Sequence, residues 1–188
     1  MSYQTLFRNI DAFEIDAASV ARLLRTHEPT RLQVFSPPSA ATSLAPLSVE
    51  QVLRLLVALE EQVDTAVIDA PLELVDQASL QQFCDALLLV TTNRLPSIKN
   101  TLIARDLLDR HPSLALVTNE PAPGNEGADA GAIEEAVQLR VLEALPWDET
   151  IHEGAAARPA NGLSKAKSGF TKRIDQLAEH LHEHSLVR

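Results

Sequence analysis

Short runs of leucine and β-branched residues alternate along this chain with longer stretches whose apolar residues recur every three or four positions. That alternation is the pattern of βαβ units, in which a strand, a crossover helix and a second parallel strand follow one another. It restricts the chain to an α/β fold of three layers, a mainly parallel sheet with helices on both faces. The 188 residues, 45% of them hydrophobic, are enough for one continuous core.

Residues 1–15 read as an extension, after which Asp16 caps a first helix that carries Val20, Leu23 and Leu24 on one face and stops at Pro29. Arg31 to Ser36 reads as a strand closed by Pro37 and Pro38. Ser48 and, three residues later, Gln51 form a capping box for a helix on which Val49, Val52, Leu53, Leu56 and Leu59 line up. Thr65 to Asp69 and Ala86 to Thr91 are apolar until their last residues, which predicts strands buried on both faces. Between them lies a short helix around Asp76 to Phe83.

Pro96 opens a crossover helix with Ile98, Leu102, Ile103 and Leu107, ending before Pro112. Leu114 to Thr118 is the next strand. Pro121 to Gly131, rich in proline, glycine, alanine and acidic residues, is a mobile surface loop leading to a helix near Ile133 to Leu139. Val141 to Leu145 is a last strand, ended by Pro146. His152 to Gly169 reads as loop, and Phe170, Ile174, Leu177 and Leu181 recur at helical spacing on a final helix within 166–188. That helix is expected to pack on the domain formed by residues 16–165.

Several functional classes are disfavoured by what the chain lacks. No stretch approaches the roughly 18 apolar residues that span a bilayer, and Met1 to Gln4 is not the start of a secretory leader, so a cytoplasmic location is expected. The single cysteine, Cys84, excludes an intramolecular disulfide and a multi-cysteine zinc site. A formal charge of −10 repels phosphate backbones, so no nucleic-acid partner is expected. All four lysines lie at or beyond residue 99, and Lys165, Lys167 and Lys172 leave room for a local basic patch near the C-terminus.

The first 98 residues contain neither a glycine nor a lysine. A phosphate loop needs glycines so that successive backbone N–H groups can close around the anion, and usually a lysine to balance its charge. No two of the six glycines have either of the two common phosphate-binding spacings. The G-x-S-x-G, H-E-x-x-H and E-F hand signatures are missing too. The expectation is a chain that hydrolyses no nucleotide by itself.

Asp69 stands at the carboxyl end of its expected strand, where open α/β sheets gather ligand groups, or else it caps the following turn. The order of segments is more specific. Val63 to Pro71 is followed by Cys84 to Thr92, then by Leu116 to Asn119, then by Ala144 to Asp148. This succession resembles the rear two-thirds of the MinD/ParA class of P-loop ATPases, over roughly residues 16 to 184. Leu32 to Pro38 and the helix from Ser48 look most like the CpaE/TadZ branch, whose members act in localising Flp (Tad) pilus assembly.

The resemblance implies an incomplete P-loop NTPase fold of the SIMIBI-like kind. It matches Asp69 to the Walker B aspartate that acts on magnesium, Asn119 to the asparagine that reads the adenine edge, and Pro146, Trp147 and Asp148 to the loop flanking the base. The phosphate-loop strand, its lysines and the first switch segment have no counterpart, and Glu120 stands where a basic residue commonly follows the asparagine. An adenine-side pocket without a phosphate cradle lacks the charge-assisted hydrogen bonds that anchor a nucleotide. No cofactor is therefore expected, with ATP and magnesium entering only if a phosphate loop is supplied elsewhere.

Other candidates have plainer readings. His180, His182 and His184 invite a metal reading, since 180 and 184 are one helical turn apart, but with no carboxylate-rich pocket attached the residues favour a solvated helix end over a metal site. Phe170, Ile174, Leu177 and Leu181 fit a helix docked on its own domain better than a membrane-surface helix, since the stripe is short and the polar face mixed in sign. Cys84 reads as packing rather than a nucleophile, and Trp147 as a core or rim aromatic.

The resemblance thus implies a non-hydrolysing CpaE/TadZ-like interaction or localisation module in Flp/Tad pilus assembly. Its partners would be proteins, such as pilus or secretion machinery or a second copy of the chain, with membrane contact only peripheral and recruitment to the inner membrane or cell pole. The alternatives are a fragment of a MinD/ParA-type ATPase whose phosphate loop lies on another segment, and a MinD/ParA-like regulator unrelated to pili.

Overall fold

The computed structural model describes residues 17–28, 30–35, 48–75, 78–108, 111–124, 127–149, 151 and 168–183. The Asp16 cap, Pro29, Ser36 to Pro38, Asp76, the residues from His152 to Lys167 and His184 lie outside these. The chain divides into two compact units, Met1–Phe83 and Cys84–Arg188.

In the first unit, helix α1 (Ala17–Ala21) leads into β1 (Arg25–His27), which pairs with β2 (Leu32–Val34). The pairing is antiparallel, so the strand read from Arg31 is half of a hairpin. Thr30 and Arg31 donate their backbone N–H groups to the His27 carbonyl at 3.1 and 2.8 Å, and Arg31 adopts φ 59° to close the turn. Helix α2 (Val49–Glu60) starts as its sequence dictates. Ser48 accepts from the Gln51 backbone N–H at 3.3 Å, and the Gln51 side chain accepts from the Ser48 N–H at 2.8 Å.

Val20 packs with Leu55 and Ala58, while Val52 and Leu56 pack with Leu80 of α4 (Ala78–Phe83), which follows the short helix α3 (Leu72–Val75). Thr65 to Asp69 forms no strand. The segment is unpaired coil, and Val67 is 95% exposed. An apolar run becomes a strand only when a neighbour accepts its backbone hydrogen bonds, and these residues have no ladder partner among the described residues.

The second unit is built on the parallel sheet of β3 (Leu87–Thr92), β4 (Leu114–Asn119) and β5 (Val141–Leu145), in that spatial order. Helix α5 (Leu95–Leu108) crosses from β3 to β4, and α6 (Ala130–Val137) from β4 to β5. Ile98 of α5 and Ile133 and Val137 of α6 close over Leu116, which is fully buried. Thr101 of α5 donates to the Thr91 hydroxyl of β3 at 2.7 Å on the same face. Contrary to the expectation of burial on both faces, Val90 on the other face of β3 is 69% exposed.

Asp129 caps α6 by accepting from the Ala132 N–H at 2.8 Å, and Gln138 ends it in the left-handed region at φ 59°. Between α5 and β4, buried His111 has its tautomer fixed by geometry. Nδ1 accepts from the Ser113 N–H at 3.2 Å, so Nε2 carries the proton it donates to the Cys84 carbonyl at 2.9 Å.

Parallel strands place registered residues on one face, and β5 changes face partway along. Leu116 registers with Val141 but Val117 with Glu143, so Leu142 is an extra residue in a bulge. Val141 therefore sides with the α5/α6 core, whereas Glu143 sides with Val117 on the opposite face. There β5 meets α7 (Gly169–Glu183), completing helix, sheet and helix layers.

Candidate functional site

Three successive parallel strands bring their carboxyl ends to one rim, because Thr92 registers with Asn119 and Asn119 with Leu145. Asn119 is exposed there, and Pro146, Trp147 and Asp148, all half-buried, leave β5 beside it. The next residue after Asn119 ties the two ends together, with the Glu120 N–H donating to the Leu145 carbonyl at 2.8 Å. Asp148 accepts from the Ile151 N–H at 3.1 Å, which fixes the turn after the rim. The structure thus gathers four of the five sequence candidates. Asp69, the fifth, is exposed in the coil of the first unit.

The third strand end adds a residue that sequence reading passed over. The Asn93 backbone carbonyl accepts from the Ala128 N–H at 3.0 Å, pinning the β4–α6 connection to the end of β3. Gly127 makes this approach feasible, since a Cβ there would run into the Asn93 carbonyl and come within 2.6 Å of its Oδ1. That Oδ1 is buried and has no hydrogen-bond partner among the described residues. Only the position of Asn93, directly after an apolar strand, could have signalled it.

The rim carries Glu120 and Asp148 against Arg94, so its carboxylates do not favour a polyanion. An open concavity of about 430 Å³, lined by Gly131, Glu134, Glu135, Gln138, Leu139 and Arg140, lies beyond the amino end of β5 and away from this rim. Among the described residues no three His, Cys, Asp or Glu side chains gather as metal ligands, and no helix is long and apolar enough to cross a membrane. Burial pushes the Cys84 thiol above its ordinary pKa, with the Asp85 carboxylate adding to the effect, so the reactive thiolate is disfavoured.

A parallel sheet flanked by helices, with polar residues at the strand carboxyl ends, is the architecture of open α/β proteins. No protein-family model matches this sequence, and no curated protein is similar to it by sequence. Solved structures do match. The ParA family ATPase from Chlorobium tepidum TLS is 20% identical, covers 88% of this chain and 73% of its own, and superposes with a TM-score of 0.61. The septum site-determining protein MinD complexed with Mg-ADP from Pyrococcus horikoshii OT3 is 16% identical over 98% of this chain and 80% of its own, with a TM-score of 0.61. The MinC:MinD cell division protein complex of Aquifex aeolicus gives 12% identity, 73% and 60% coverage and a TM-score of 0.58. The fold of this chain is that of the MinD/ParA ATPases.

Proposed function

We propose that this chain is a binding module on a MinD/ParA-type fold that hydrolyses no nucleotide by itself, acting as a CpaE/TadZ-like interaction or localisation element in Flp/Tad pilus assembly. The observation that carries this reading is the absence of any glycine or lysine from the first 98 residues. A triphosphate is held by a nest of amides and a cation, and these residues offer neither at the required spacing.

In this reading Asn119, Pro146, Trp147 and Asp148 are vestigial base-side positions that give the rim its shape, and the partners are proteins. The similarity to the MinC:MinD cell division protein complex supports a protein partner for this fold. The module works in the cytoplasm, with recruitment to the inner membrane or a cell pole. Titration calorimetry of the chain with ATP and magnesium tests the reading: no micromolar binding is expected, and such binding by this chain alone would overturn it.

One observation favours a second reading. Val67 and Ile68 are 95% and 40% exposed in an apolar segment without ladder partners among the described residues. Such a segment suits a chain whose phosphate-loop strand is supplied by another polypeptide, with Asp69 then acting on the magnesium. Adding a lysine- and glycine-rich polypeptide from a neighbouring reading frame decides between them. Restored ATP binding that Asp69→Asn weakens would support this second reading, and unchanged titrations would support the first.

A further inference from the structure

Among the residues of β5 only Glu143 is charged, and its side chain is just 6% exposed. A carboxylate taken out of water needs an opposing charge and donors. Both come from α7, where Arg173 Nη1 lies 3.2 Å from Oε2 and His180 Nδ1 lies 3.6 Å from Oε1. Positions 173 and 180 are two helical turns apart and so share the face that meets β5. Gln176, between them, accepts a bond from Arg173 Nη1 at 3.3 Å and orients the guanidinium.

In other respects α7 is thinly held. None of its residues is fully buried, Ile174 is 38% exposed, and Phe170, Leu177 and Leu181 are only half-buried. The apolar core of Ile98, Leu116, Ile133 and Val137 lies on the opposite face of the sheet and takes nothing from α7. From these facts we propose that α7 is a detachable strap latched to β5 through Glu143, which opens as a unit while the β3–β5 sheet stays folded.

The Arg173 side chain is half exposed, so water reaches one side of the latch and keeps it reversible. Opening has a consequence at the rim. Gly169, the first residue of α7, lies beside Pro146, where a Cβ would sit in ordinary contact, 3.5 Å, with its ring. Detachment therefore frees the segment Pro146 to Asp148 on that side. The strap does not depend on the functional reading above, because it rests only on the β5–α7 contact.

Native-state hydrogen exchange on the whole chain, read by NMR or mass spectrometry, tests it. Amides of α7 are expected to exchange through a local opening, faster than those of β4. Arg173→Gln should speed exchange in α7 about tenfold and leave β4 unchanged, whereas Arg173→Lys, which keeps the charge, should retain most of the protection. Glu143→Gln should resemble Arg173→Gln, and His180→Gln should have a smaller effect. The proposal is overturned if α7 and β4 exchange together in the unaltered chain. It also fails if Arg173→Gln changes α7 by less than about twofold, or if Arg173→Lys is as fast as Arg173→Gln.

Discussion

Truncating Leu116 to alanine tests whether the second unit is held by the core described above. Leu116 is fully buried on the central strand, under Ile98, Ile133 and Val137 and beside Leu89, Leu102 and Val141. The change removes three carbons, worth roughly 2.4 kcal/mol at about 0.8 kcal/mol per buried methylene. Helices α5 and α6 are tied down by Thr101 on Thr91 and by Arg105, which donates to the Val137 carbonyl at 2.9 Å. The space should therefore collapse only partly, and a cavity contribution brings the loss to about 3–4 kcal/mol. The only tryptophan, Trp147, lies two residues beyond the end of β5 and reports this unit in urea-induced unfolding followed by fluorescence. With a slope of about 2 kcal/mol/M the midpoint should fall by about 1.5–2 M at unchanged slope. A loss below about 1 kcal/mol would refute the placement of Leu116 at the centre of the core, since typical Leu→Ala losses there are about 2–5 kcal/mol.

Three further outcomes are expected. Gly127→Ala should break the tie between Ala128 and Asn93 and destabilise the second unit by about 1–3 kcal/mol, seen as a lowered urea midpoint together with a changed Trp147 environment. His111→Ala should leave the Cys84 carbonyl and the Ser113 amide without their imidazole, lowering stability by about 1–3 kcal/mol, with His111→Asn recovering part of it by thermal melting. Cys84, whose folded-state pKa is raised by burial and by Asp85, should alkylate with iodoacetamide more slowly than a free thiol at neutral pH and accelerate as pH rises. Alkylation as fast as in the urea-unfolded chain would show that the thiol is not so placed.

The elements legible from sequence were those specified locally. Ser48 and Gln51 carry their own helix start, and Val141 to Leu145 was bounded by Pro146 at one end, so α2 and β5 fall where expected. The helix read as running to Leu139 ends at Val137, because Gln138 takes a left-handed cap that its identity does not announce. Apolarity alone misled at Thr65 to Asp69. The pattern says such a run tolerates burial, but a strand also needs a partner, and that information lies outside the segment. The strand read from Arg31 does form, at Leu32–Val34, but its partner Arg25–His27 was read as the tail of a helix, because a hairpin partner is not announced by either segment alone.

The rim was legible in part. Asn119 and Pro146 to Asp148 come together because each follows the last residue of a parallel strand or ends it, which strand order alone implies. Asn93 was missed because its importance depends on the later segment at Gly127 folding back upon it. Glu143 was passed over as one polar residue in a short strand. Its burial follows from the bulge, and a bulge has no composition of its own.

The extra residue at Leu142 makes the spelling of β5 sensitive to frame rather than to polarity. Strict alternation with all five residues kept would put Val141 on the face of Glu143, where α7 rests, out of the cluster around Leu116, whereas deleting Leu142 would remove the bulge and leave Val141 and Glu143 on their present faces. A change of hydrophobic type at that position, such as Leu142→Met, should pass almost unnoticed. Five letters of sequence there encode two different surfaces, and the place where the reading slips matters more than any single letter.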